Sequence, residues 1–377
     1  MSTSAPLATI PTPVQGTSSF PNQNSLQIRK QQWHLKYLAT SKAHQISQGE
    51  GVTVAVLDTG VHPHPDLRNN LLPGSDVIAR RGGDGWQDND GHGTAMAGLI
   101  AANSHNTSGA LGIAPKANIL PIRFKLANSE GTAEDLSRAI DYAVRGGASV
   151  ISISSGGEPD VDEQKAIQAA TSANVVVVAA AGNKPSDQEV RFPAAYSGVV
   201  AVGGVDRDGK HADVSVRGAE VDVVAPAVEI YSTNSDGGYR SGTGTSGAAA
   251  IVAGAVALIR AKYPYLPADE VVHRLTATAV DKGPPGRDDQ YGYGVIDLVA
   301  ALTADVPPRG FESVPATAQG GGGPTTAAAD RPRGDGERAA TVRGLVTLGV
   351  LLAAGGGWAL FVRRRRRSDD PPPRITR

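Results

Sequence analysis

Asp58, His92 and Ser246 each stand where a glycine-bearing loop meets an apolar run: VAVLDTG, DNDGHGTAMAGLIAA and GTGTSGAAAIVAGAVALI. Singly, each has a plain structural use. Asp before Thr-Gly forms turns, a lone His between glycines is often structural, and Ser is a favoured N-cap ahead of an apolar helix. Together they carry the groups that acyl transfer needs. A serine hydroxyl becomes a nucleophile when an imidazole takes its proton and a carboxylate holds that imidazole in the right tautomer. The free N–H groups and positive dipole end of a helix start would then face the developing oxyanion.

Such groups need a scaffold that brings distant loops together. VTVAVLD (52–58), NILPIRF (118–124), SVISIS (149–154), VVVVAA (175–180) and VVAVGG (199–204) are β-branched apolar runs of strand length. Helical patterns over 92–102, 132–146 and 162–173 separate them, and further helices are predicted at 245–262 and after Pro267. Continuous apolar strands alternating with helices predict an α/β, doubly wound, mainly parallel sheet with helices on both faces. Ligands of such sheets bind beyond the carboxyl ends of the strands, where Asp58 falls.

The 377 residues carry 36 Lys plus Arg against 37 Asp plus Glu, a balance that suggests no nucleic-acid partner. The charge is unevenly spread. Residues 331–377 hold 11 Arg and 4 acidic residues, leaving a body near −8 and a tail near +7. The absence of cysteine excludes disulfides, thiol catalysis and Cys-ligated zinc.

This texture divides the chain. Residues 1–25 read as a disordered N-terminal segment, 26–48 as an extension packing on the catalytic domain, and 49–302 as that domain. Residues 303–343 read as a flexible Pro/Gly-rich linker. GLVTLGVLLAAGGGWALFV (344–362) has 19 uncharged residues, which as a helix would span roughly 28 Å, near the thickness of a bilayer core. We read it as one C-terminal transmembrane helix, followed by a basic cytoplasmic tail (363–377). The tail carries 7 Arg against 4 just before the span, which places the domain outside the cytoplasm by the positive-inside rule. No secretory signal is legible before the domain, so export is expected to use a segment upstream of Met1 or a route not written here.

The motifs VAVLDTGVHPHPDL, GHGTAMAGLIAA, GIAPKANILPIR, SVISISSGG, VVAAAGN, GTSGAAAIVAGAVALI and YGYGVIDLVAAL resemble, in order, those of the subtilisin-like serine proteases, the subtilases, over roughly residues 50–302. The Asp–His–Ser order is that of subtilisin. The resemblance implies Asp58 as the orienting carboxylate, His92 as general base then acid, and Ser246 as nucleophile. It implies Asn183 as an oxyanion-hole donor beside the Ser246 N–H. Ser154, Ser155 and Gly156 match the segment that pairs with an extended protein or peptide substrate and lines the pocket before the scissile bond. With Ser155 and the glycines there, no charged specificity pocket is expected.

More narrowly, QWHLKYL, ALGIAPKANILPIR, the linker and the single span with its basic tail resemble the mycosins, membrane-anchored subtilases associated with type VII secretion. That likeness implies a type VII secretion membrane complex as partner. A rival from another class is a subtilase-fold scaffold subunit of such a complex, with weak or no proteolysis.

The chain departs from the pattern at Gly247, where the family usually has Met or another sizeable residue, and at Ala250, where it has proline near that position. Both changes are expected to loosen the helix start beside the nucleophile. The N-terminal 45 residues look too short for the folded inhibitory prodomain of secreted subtilisins. No cofactor and no metal are expected. His64 in HPHPD matches a structural turn, and NSHNTSG (103–109) lacks a carboxylate for tight calcium.

Overall fold

Apolar runs with no polar face must be covered on both sides, and this requirement organises the molecule. The computed structural model describes residues 18–20, 25–78, 82–104 and 108–309. In chain order, β1 (Ser18–Phe20) precedes three short helices, α1 (Ser25–Gln31), α2 (Trp33–Tyr37) and α3 (Thr40–Ala43). The alternating part follows: β2 (Thr53–Asp58), β3 (Ser75–Asp76), α4 (His92–Ala101), β4 (Asn118–Arg123), α5 (Ala133–Arg145), β5 (Val150–Ile153), α6 (Val161–Ser172), β6 (Val176–Ala180) and β7 (Val199–Val205). The remainder is β8 (Val223–Pro226), β9 (Ile230–Thr233), β10 (Tyr239–Gly242), α7 (Thr245–Lys262), α8 (Ala268–Ala277) and α9 (Leu298–Thr303).

Seven strands form one sheet in the order β3-β4-β2-β5-β6-β7-β8, every pairing parallel. Alternate residues of one strand feed two cores. Val54 and Val56 pack with α4, α7 and α8, whereas Ala55 and Leu57 pack with α5 and α6. Each Val or Leu so buried contributes about 1.5–3 kcal/mol relative to exposure. The crossovers leave β2 toward β4 on one side, and the chain returns past it to β5 on the other. The switch point therefore lies at the carboxyl end of β2, at Asp58.

α7 lies under the sheet. It is the one helix among the described residues long and apolar enough to cross a membrane, but 83% of it is buried within the domain, so it is a core helix. The span expected at 344–362 lies outside the described residues, as do most of the linker and the tail. Alanine and glycine let α7 approach closely: a Cβ at Gly254 would come within 2.7 Å of Ile113.

Two N-terminal stretches are held against the domain. Ser18–Phe20, inside the segment read as disordered, pairs antiparallel with Tyr239–Ser241, so the edge of the β9–β10 ribbon finds a partner for its backbone groups. The 26–48 extension is tied to distant backbone. Gln32 exchanges hydrogen bonds with Leu111, Trp33 Nε1 donates to the Val228 carbonyl at 3.0 Å, and Ser47 Oγ donates to the Leu258 carbonyl at 2.9 Å.

Candidate active site

Asp58 ends β2 with no solvent exposure. Its Oδ1 accepts the Thr59 N–H at 2.7 Å, and both oxygens lie within 2.9 Å of His92 Nδ1. Burial alone pushes such a carboxyl up. Here the adjacent His92 and Lys125 charges and the His92 and Thr59 hydrogen bonds outweigh burial and bring Asp58 down to about 2. An ionised carboxylate can only accept, so Nδ1 carries a proton, and in the neutral imidazole Nε2 is then the acceptor.

The local sequence around His92 explains why it points there. Gly91 caps α4 at φ 85°, and a Cβ on it would lie 2.1 Å from Asn234 Oδ1. A Cβ on Gly93 would lie 2.0 Å from the Gly60 carbonyl oxygen, so the second glycine lets α4 close against the β2 loop. Asp88, which sequence reasoning passed over, staples the two loops. Its Oδ1 accepts from Thr59 Oγ1 at 2.8 Å and from the Gly91 N–H at 2.9 Å, and its Oδ2 accepts the Thr94 N–H at 2.9 Å. The signal was present in DNDGHGT, as an acid ahead of a helix start.

Ser246 is the second residue of α7. The N-cap is Gly244, with no side-chain cap, so Ser246 does not serve as the helix cap. His92 and Ser246 line one cavity of about 50 Å³, walled by Met96, Leu99, Ile230 and Gly247. A larger cavity of about 930 Å³ lies at the opposite, amino ends of β6 and β7, beside His273, and holds none of these groups.

Thr245 and Asn183 fix each other. The Thr245 N–H donates to Asn183 Oδ1 at 2.8 Å, and only the amide oxygen can accept it, which leaves the Nδ2 hydrogens as donors for another group. Thr245 Oγ1 accepts the Gly182 N–H at 3.2 Å. Asn183 therefore sits at the start of the helix that carries Ser246.

Ser154, Ser155 and Gly156 follow β5, one strand over from Asp58. Lys125, a second residue not anticipated, is 7% exposed. Its ammonium donates to the Ser154 carbonyl at 2.7 Å and stands 3.9 Å from Asp58 Oδ1. Its signal was a lysine at the carboxyl end of an apolar strand. Glu130 Oε2 accepts the Ser155 hydroxyl at 2.7 Å and the Gly156 N–H at 3.0 Å. The cavity against this segment also carries Glu158, Asp160 and Glu163. Serine and glycine contribute no charge; Glu158 and Asp160 stand further along the same loop, Glu163 in the first turn of α6 and Glu130 in the loop after β4.

His64, from HPHPD, is buried with its Nε2 3.0 Å from the Gly238 carbonyl and its Nδ1 accepting the Asp66 N–H at 3.0 Å. Residues 105–107 of the NSHNTSG loop lie outside the described residues.

Residues 49–294 match the description of the subtilase family, peptidase S8. Mycosin-1 of Mycobacterium tuberculosis is 37% identical over 333 residues, covering 73% of this chain and 74% of that protein. A thermostable alkaline protease of Halalkalibacterium halodurans is 36% identical, over 70% of this chain and 71% of its own. Among solved structures, a serine protease MycP1 described as an essential component of the type VII (ESX-1) secretion system superposes with a TM-score of 0.67 at 35% identity, covering 77% of this chain and 92% of its own.

Proposed function

Since the chain belongs to the subtilase family of serine proteases and resembles the mycosins within it, we propose that it is a membrane-anchored serine endopeptidase working beside a type VII secretion complex. The observation that carries the enzymatic part is the His92 Nδ1–Asp58 hydrogen bond, with His92 and Ser246 facing one cavity. In this reading Nε2 of His92 takes the Ser246 proton as Oγ attacks the scissile carbonyl. The Ser246 N–H and Asn183 Nδ2 receive the oxyanion at the positive end of α7. His92 then protonates the leaving amine, and water repeats the sequence to release the acyl group from Ser246. Asp58, held ionised, keeps the Nδ1 proton in place throughout.

Ser154, Ser155 and Gly156 would pair with the substrate backbone as an added strand. The anchor rests on the 19 uncharged residues of 344–362 and the arginine block after them, with the catalytic domain extracytoplasmic, the tail cytoplasmic and the cell membrane as the location. The secretion partner rests on likeness to proteins described as components of type VII systems.

A serine-directed fluorophosphonate should label the wild-type chain, and Ser246→Ala and His92→Ala should each abolish labelling. A folded wild type that stays unlabelled would leave the non-proteolytic scaffold as the better account.

A further inference from the structure

Glu130, Glu158, Asp160 and Glu163 converge from the loop after β4, the loop after β5 and the start of α6 on one cavity of about 260 Å³, beside Ser155 and Gly156. Of the four, Glu158 has a cation in the fold, Arg191 Nη1 at 2.9 Å. Asp160 spends an oxygen on the first N–H groups of α6, from Asp162 and Glu163. Glu130 holds the Ser155 hydroxyl and the Gly156 N–H. Among the described residues, none of Glu130, Asp160 and Glu163 forms an ion pair.

Glu163 is the anomaly. It is 3% exposed, and its Oε1 has no hydrogen-bond partner. A buried acceptor without a donor costs about 1–3 kcal/mol, so its retention calls for a ligand that supplies one. Burial and the neighbouring Asp160 charge hold this carboxyl up at about 7, so an arriving cation would find it ready to ionise.

The shape selects the ligand. No three His, Asp or Glu side chains among the described residues come together as a metal site, which disfavours a bare ion. Leu136 and Phe192 form part of the wall, suited to a methylene stem whose charged head reaches the carboxylates. An extended substrate along Ser155 and Gly156 would send alternate side chains into flanking pockets.

We propose that this cavity is a specificity subsite that takes an arginine or lysine side chain of the substrate, on the amino-terminal side of the scissile bond. It rests on the endopeptidase reading above. Glu130 gives the subsite a second effect. Its carboxylate occupies the Gly156 N–H, a donor that strand addition needs, and an incoming cation offers that carboxylate a stronger partner. Filling the subsite and freeing the strand edge thus favour each other.

The test uses the full-length chain in detergent, with fluorophosphonate labelling to count active sites and a peptide library varied at the positions before the cleaved bond. At one position, kcat/KM for Arg or Lys should exceed that for norleucine by about tenfold or more. Glu163→Gln and Glu130→Gln should each shrink that ratio several-fold, and Glu130→Lys, at an exposed position, should invert it toward acidic side chains. Thermal melts would confirm that each variant is folded, and Glu130→Gln carries the test if Glu163→Gln is not. Labelled enzyme with no cationic preference, or with a preference that all three variants leave intact, overturns the subsite and spares the endopeptidase. An unlabelled wild type overturns both.

Discussion

Asn183 illustrates how one side chain is aimed by another. Because its Oδ1 is taken by the Thr245 N–H at 2.8 Å, its Nδ2 is the end that can meet an oxyanion. Asn183→Ala should therefore lower kcat by about 10²–10³ with KM little changed, since the lost donor acts on charge that exists only in the transition state. Steady-state kinetics on any cleaved peptide reads this, and a loss confined to KM would assign Asn183 to ground-state binding instead. Asp58, His92, Ser246 and Asn183 could be singled out in the sequence because each sits inside a short motif whose glycines serve local geometry. Asp88 and Lys125 were not singled out, because a lone acid or lysine becomes meaningful only when its partners are known. Lys125 meets Ser154 across 29 positions and Asp58 across two paired strands.

At the scale of elements, α7 decides how firmly Ser246 is held. Gly247 was expected to loosen its start, yet the helix runs unbroken from Thr245 to Lys262, through a fully buried Ala250. Tertiary packing under the sheet supplies what a proline or a larger side chain would supply locally. The backbone at Gly247 does not require glycine. A Cβ there would meet Leu99 Cδ1 at 3.6 Å and Ile230 at 3.8 Å, ordinary contacts into the small void beside Ser246. Gly247→Ala should raise unfolding free energy by about 1 kcal/mol, from the helix propensity gained. Urea denaturation checks this, and a lower midpoint would mean that the helix start needs the glycine. The five predicted strands and five predicted helices were readable from periodicity, whereas β1, β3, β8, β9 and β10 are short pairings that carry no run of their own.

For the whole molecule, stability should follow pH through Glu163. Its folded pKa of about 7 lies above its ordinary 4.5, so its contribution is intact below 4.5 and is lost as pH rises through about 7. Glu163→Gln should remove that decline, leaving the variant on the order of 2 kcal/mol more stable than wild type at pH 8 and nearly equal at pH 4. Denaturation curves at both values decide it, and equal differences at both would show that the carboxyl titrates alike folded and unfolded. By itself the sequence determined the parallel α/β sheet, the three motifs and their order along it, because strand runs and glycine-flanked turns are properties of a few consecutive residues. Only the tertiary structure decided that Ser246 lies within α7's first turn rather than capping it, and that the segment after β5 shares a cavity with Glu130 and Glu163. Those facts depend on which distant loops a crossover lays side by side, and residues 130, 163 and 192 share a cavity only because the sheet brings their segments together beyond the carboxyl ends of its strands.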